Sequence, residues 1–156
     1  MPVFLRTILF FLLAAFYAEG KSLHPILVSD FFVKPSKGQN GAAFLSMRNT
    51  SSKPVKLVDA KTDPHICKRV ELHTHVQEGN IYGMRRISEI IINPGETVVL
   101  EPGKLHIMLI DIKSTLSEGD EVPLTLIFEG ASEQTLLAPV KKKASCGCCK
   151  KKKVSS

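Results

Sequence analysis

The 156-residue chain lacks the hydrophobic length for a comfortable membrane span. Its longest unbroken apolar run, "ILFFLLAAFYA" (Ile8–Ala18), has eleven residues, whereas a bilayer-crossing helix needs about 20. Arg6 before the run and small residues after it form the pattern of a secretory signal peptide over residues 1–20. Ala18-Glu19-Gly20 is the expected cleavage signal, with Lys21 as the new N-terminus. No cysteine follows the run, which argues against a lipid anchor. The expected compartment is a periplasm.

Cysteine is scarce where an exported domain would use it as a staple. Cys67 stands alone, and Cys146, Cys148 and Cys149 crowd into the last residues. Such close neighbours strain any disulfide between them, so the domain has to be held by its core. Basic excess is also missing from the domain. The formal charge is +6, but removing Arg6 and the seven tail lysines from the 21 basic residues, and Glu19 from the 15 acidic ones, leaves 13 against 14 for residues 21–140. That balance argues against nucleic-acid binding by the folded part. The lysines at 141–143 and 150–153 suit weak contact with an anionic membrane or an acidic partner.

Long helical periodicity is absent after residue 20, and so is any internal repeat. What is present is a series of short β-rich runs: "ILVSDFFV" (Ile26–Val33), "GAAFLSMRN" (Gly41–Asn49), "VKLVDA" (Val55–Ala60), "RVELHTHV" (Arg69–Val76), "IYGMRRI" (Ile81–Ile87), "ETVVLE" (Glu96–Glu101), "LHIMLIDI" (Leu105–Ile112), "VPLTLIFE" (Val122–Glu129) and "QTLLAPV" (Gln134–Val140). Pro94-Gly95, Pro102-Gly103 and Glu118-Gly119-Asp120 punctuate them. Many short strands at this spacing predict an all-β antiparallel sandwich or small barrel over residues 21–140. Residues 141–156, rich in Lys, Cys and Ser, read as a disordered tail.

No nucleophile motif, HExxH or phosphate loop is present, so nothing in the motifs points to an enzyme. The five histidines and four methionines carry the chemistry instead. Strand alternation puts Val70, Leu72, Thr74 and Val76 on one face of "RVELHTHV", and Glu71, His73 and His75 on the other. A hairpin about Glu78–Asn80 carries Met84 back across from the His73/His75 edge. In "LHIMLIDI", His106 and Met108 share a face with Ile110 and Ile112, while Ile107 and Leu109 fill the opposite one. Thioether sulfur is soft and suits Cu(I), and imidazole suits copper as well as zinc and iron. A mixed His/Met set therefore points to cuprous copper, since zinc is better served by Cys, His and carboxylate. The plainer alternative is that strand histidines are ordinary surface residues and strand methionines are core. Glu71 reads as a solvated charge and Cys67 as a buried thiol.

Ten residues separate His73 from Met84, twenty-one separate Met84 from His106, and one separates His106 from Met108. This H-x10-M-x21-H-x-M pattern resembles the signature of the PCu(A)C family of periplasmic copper chaperones. "VELHTHVQEG", "INPGETVVLEPGKLHIMLIDIK" and "LSEGDEVPLTLIFE" look like family sequence too, and the similarity runs from about Ser29 to Val140. The resemblance implies a cupredoxin-like Greek-key β-sandwich or barrel. It also implies His73, Met84, His106 and Met108 as Cu(I) ligands, with His75 second-shell or simply exposed. Copper would pass toward the CuA site of cytochrome c oxidase subunit II, with Sco-type thiol proteins as co-workers. Copper sequestration uses the same ligands and is the main rival. A thiol-disulfide role for Cys146, Cys148 and Cys149 ranks below it. Those three cysteines could also offer Cu(I) a second, thiolate site.

Overall fold

Alternation is cleanest in "EVPLTLIFE", where Val122, Leu124, Leu126 and Phe128 are buried and the residues between them are not. One strand of this kind cannot stand alone, and nine others complete its surroundings in the computed structural model, which describes residues 24–79 and 81–142. The expected signal peptide and residues 143–156 of the expected tail, with Cys146, Cys148 and Cys149, lie outside the described residues, whereas Lys141, expected to be disordered, is held to β1 by its amide donating to the Val33 carbonyl (2.9 Å). In chain order the strands are β1 (Ile26–Val33), β2 (Asn40–Asn49), β3 (Val55–Thr62), β4 (Cys67–Glu78), β5 (Ile81–Arg86), β6 (Ile90–Ile92), β7 (Thr97–Leu100), β8 (His106–Ile112), β9 (Glu121–Glu129) and β10 (Gln134–Pro139). No helix occurs among the described residues.

The nine runs expected from sequence all appear as strands, with ends within two residues of expectation. β6, only three isoleucines long, carries too short a pattern to be read in advance. The strands form two antiparallel sheets. One has the order β1-β2-β8-β4-β5, with β7 also paired to β2; the other has the order β10-β9-β3-β6. β2 is long enough to pair β8 through Asn40–Ala43 and β7 through Leu45–Arg48, so β7 and β8 lie end to end along it. The expected all-β sandwich is therefore the observed fold.

The core lies between the sheets. Leu45, Met47, Leu57, Ile107, Leu109, Leu124 and Leu126 are all essentially fully buried there, each contributing on the order of 1.5–3 kcal/mol. Cys67 joins this cluster as a free thiol. Burial pushes its pKa up, against the smaller pull of its backbone partners, so it is a poor nucleophile. Ile112 departs from simple alternation. Asp111 takes a positive φ of 54°, and beyond it Ile112 packs against the core instead of continuing the His106/Met108 row. Its Cδ1 occupies the space that a Cβ on Gly41 would need.

Asn49, at the end of β2, is an amide fully buried in the core. Its Nδ2 donates to the carbonyls of Lys53 (2.8 Å) and Ile92 (2.9 Å), while its Oδ1 accepts from the Ser51 amide (2.9 Å) and hydroxyl (2.7 Å). It thus clips the end of the first sheet to β6 in the second. Truncating it strands buried carbonyls, each worth about 1–3 kcal/mol. Asn49→Ala is expected to lower unfolding free energy by about 2–4 kcal/mol, read from the urea midpoint; an unchanged midpoint would contradict the clip. In the folded chain Cys67 should resist iodoacetamide and should react once urea is added; labelling at the rate of a free thiol without urea would contradict its burial.

Candidate metal centre

The inner face of the first sheet is apolar because β4 and β8 both alternate. Leu72, Ile107 and Leu109 point into the core, so Glu71, His73, His75, His106 and Met108 are left on the outer face. Pairing then fixes who meets whom. His73 lies opposite His106, and Glu71 opposite Met108. Across the hairpin, His75 lies opposite Met84, and His73 opposite Arg86. Met84 is therefore diagonal to His73, as the hairpin register led one to expect. Ala42 sits opposite Met108 on the other side, and its small side chain leaves room there.

This outer face is not simply solvent-exposed. Phe32 packs on Phe44 with ring centroids 5.2 Å apart, and Phe44 lies 6.4 Å from the His106 ring. His73 and His75 flank His106 from the other side, at 5.9 and 5.1 Å. As a result His106 is only 3% exposed. Met84, His106 and Met108 line one open cavity of about 280 Å3, whose far wall comes from Ser36 and Gly41–Ala42. Met84, half exposed, stands at its rim.

Hydrogen bonds define the imidazole tautomers. The Lys104 carbonyl lies 3.0 Å from His106 Nδ1 and 3.2 Å from His75 Nδ1. A carbonyl can only accept, so both Nδ1 atoms carry the proton and both Nε2 lone pairs are free. The carbonyl is placed by the turn at Glu101–Lys104, closed by the Lys104 amide donating to the Glu101 carbonyl (3.1 Å). Gly103 adopts φ 84° there after Pro102, the arrangement of a type II turn. Burial lowers the His106 pKa, against the smaller upward pull of its bond to Lys104, and so favours the neutral, lone-pair-bearing form.

His73 is held the other way round. Its Nε2 lies 2.9 Å from Glu71 Oε2, and Arg69 Nε lies 3.0 Å from Glu71 Oε1. The bond from His73, above all, lowers the Glu71 pKa, with Arg86 and Arg69 adding to it against partial desolvation. An ionised Glu71 accepts, so His73 donates from Nε2, and in the neutral ring the lone pair is on Nδ1. That Nδ1 is buried with no hydrogen-bond partner, a position that costs on the order of 1–3 kcal/mol unless something fills it. Glu71 is therefore not the solvated charge expected from sequence: Arg69 and His73 close over it because all three share the β4 outer face. The carbonyl of Lys104 and the Phe32–Phe44 cover were also invisible beforehand, since neither is marked by a ligand-type residue.

Among the described residues, no three His, Cys, Asp or Glu side chains gather in a way that could hold a metal ion. The donors on this face fit a soft metal: His106 Nε2 with Met108 and Met84 lining the same cavity, and His73 with its ring 5.9 Å from that of His106.

The model of the LpqE-like family, described as "Putative lipoprotein LpqE-like", matches residues 26–140. A protein of Leifsonia xyli subsp. xyli (strain CTCB07), named "Putative lipoprotein Lxx21020", is 31% identical over 129 residues, which cover 82% of this chain and 76% of the relative. Among solved structures, the solution structure of CuI-DR1885 from Deinococcus radiodurans is 26% identical, with a TM-score of 0.60, and the match covers 82% of this chain and 87% of that one. The copper-bound PCuAC domain from PmoF2 shares the fold at 24% identity and a TM-score of 0.62, over 75% of this chain and 92% of that one. By this match the chain belongs to the LpqE-like family, the family of the PCu(A)C domains.

Proposed function

We propose that the protein is an exported, non-enzymatic carrier of Cu(I), held by His73 Nδ1, His106 Nε2, Met108 and Met84. The observation that carries this reading is the buried, unpartnered Nδ1 of His73, its ring 5.9 Å from that of His106, whose cavity Met84 and Met108 line. Copper in the structures of the similar CuI-DR1885 and PmoF2 domains supports the choice of cargo, and the apolar run after Arg6 supports export to a periplasm.

Imidazole and thioether bind copper as neutral donors, so the ion keeps its single charge. Neutral imidazoles and thioethers hold Cu(I) less firmly than thiolates do. Met84, at the open rim, is the donor an incoming partner reaches first. Ligand exchange then runs toward a partner rich in thiolates: the CuA site of cytochrome c oxidase subunit II is the proposed destination, with Sco-type proteins alongside. Copper storage is the second reading, favoured by the three cysteines at 146–149. A deletion strain separates the two: loss of oxidase activity at low copper supports delivery, and copper sensitivity alone supports storage.

Competition against a chromogenic Cu(I) chelator tests the ligands directly. His73→Ala, His106→Ala, Met84→Leu and Met108→Leu are each expected to weaken Cu(I) binding by about tenfold or more. Glu71→Ala, which touches no copper, should weaken it by about 10–100-fold by releasing the His73 ring. Unchanged affinity in the methionine variants would contradict the strand site.

A further inference from the structure

The outer face of the first sheet carries three imidazoles and two thioethers, and the carrier reading above uses four of these five. His75 is left over. It is exposed, and it lies directly opposite Met84 across the β4–β5 hairpin. Its ring centre is 5.1 Å from that of His106, closer than the 5.9 Å between His73 and His106. Two imidazoles bound to one ion through bonds of about 2.0–2.1 Å have ring centres about 4.5–5.5 Å apart. His75 and His106 already stand at that spacing.

One backbone oxygen positions both rings. The Lys104 carbonyl accepts from His75 Nδ1 (3.2 Å) and from His106 Nδ1 (3.0 Å), so in each neutral ring the lone pair is on Nε2. The turn that presents this carbonyl is firmly closed. The Lys104 amide donates to the Glu101 carbonyl (3.1 Å), the Glu101 amide donates to the Leu105 carbonyl (2.9 Å), and Lys104 Nζ pairs with Glu101 Oε1 (2.8 Å). His75 is therefore held in the same tautomer as His106, although the two come from different strands. Met84 faces it with a different chemistry, since directly opposed residues have Cβ atoms about 4.5–5.5 Å apart. The rim thus offers a thioether sulfur and an imidazole nitrogen within one cross-strand pair. Thioether suits Cu(I), whereas imidazole nitrogen with oxygen donors suits Cu(II). Among the described residues no group of three His, Cys, Asp or Glu gathers for a metal, so solvent has to complete the shell of an ion held by this pair.

We propose that the same face also takes up Cu(II), held by His75 Nε2 and His106 Nε2 with water oxygens in the remaining positions. This inference deepens the carrier reading above and rests on it. The ion binds as it is supplied. Two water molecules leave its shell, two imidazole nitrogens take their place, and no electron is transferred. His106 serves both oxidation states, so Cu(I) and Cu(II) exclude each other on this face. What differs is the rim residue that joins His106: Met84 for the cuprous ion and His75 for the cupric one. His75 is in this way the residue that determines which oxidation states the face accepts.

The test uses the full chain, treated with iodoacetamide so that no reactive thiol reduces Cu(II), and compares it with His75→Ala and Met84→Leu. Cu(II) is supplied as its glycine complex and followed by electron paramagnetic resonance, with spin-echo modulation counting the imidazoles. Cu(I) affinity is read by chelator competition. The parent is expected to hold one Cu(II) on two imidazoles. His75→Ala should remove one of them and weaken Cu(II) binding by about tenfold or more, while Cu(I) affinity stays within about threefold. Met84→Leu should do the reverse, weakening Cu(I) by about tenfold or more and leaving Cu(II) within about threefold. An unchanged cupric spectrum in His75→Ala would place that ion elsewhere, such as on His24 or His65, and would overturn this inference while the Cu(I) site stands. Equal losses for both ions in His75→Ala would overturn it as well, by making His75 a ligand of the Cu(I) site. A parent chain that binds no Cu(I) would overturn the carrier reading and this inference with it.

Discussion

The pairing of β4 against β8 is the constraint on which the rest of the molecule depends. It sets His73 opposite His106 and Glu71 opposite Met108 on the outer face, and in the same stroke sends Leu72, Ile107 and Leu109 into the core. Because side chains alternate with a period of two, a slip of one residue would bury both histidines and expose the leucines. The register is thus enforced by the hydrophobic effect, at several kcal/mol. The outer His/Met face inherits its geometry from the core behind it.

Two oxygen atoms then decide what the imidazoles can do. The Lys104 carbonyl fixes the proton of His106 on Nδ1, and the Glu71 carboxylate fixes that of His73 on Nε2. The rings therefore offer different nitrogens. The bond from His73, helped by Arg86 and Arg69, lowers the Glu71 pKa, so this arrangement extends along β4 and into β5. Phe44 and Phe32 shield one side of His106, while Met84 leaves the other open. A soft ion bound here would be covered enough to be held and exposed enough to be taken.

Much of this was legible in the sequence, for physical reasons. Alternation in "RVELHTHV" and "LHIMLIDI" announced which residues share a face, and the turn about Glu78–Asn80 brought Met84 across from the His73/His75 edge, leaving its exact partner, His75, to the structure. The strands themselves were readable because their apolar runs are bounded by Pro-Gly and Gly-Asp turns. Three things were not legible. Ile112 leaves its row because Asp111 adopts a left-handed conformation that no local pattern signals. Glu71 is bound rather than solvated because its partners, Arg69 and His73, curl along one face. The Lys104 carbonyl is backbone, so no residue type marks it, although the Pro102-Gly103 turn that aims it was in view. β6 is too short for any periodicity to show.

The central claim is that the two histidines present opposite ring nitrogens, His73 through Nδ1 and His106 through Nε2. Two-bond nitrogen–proton NMR correlations on histidine-labelled, metal-free protein at neutral pH test it most directly, because they report each tautomer separately. The account predicts the Nε2–H form for His73 and the Nδ1–H form for His106, with Cu(I) then shifting His73 Nδ1 and His106 Nε2. Finding the proton of His73 on Nδ1, or both rings in the same tautomer, would contradict it.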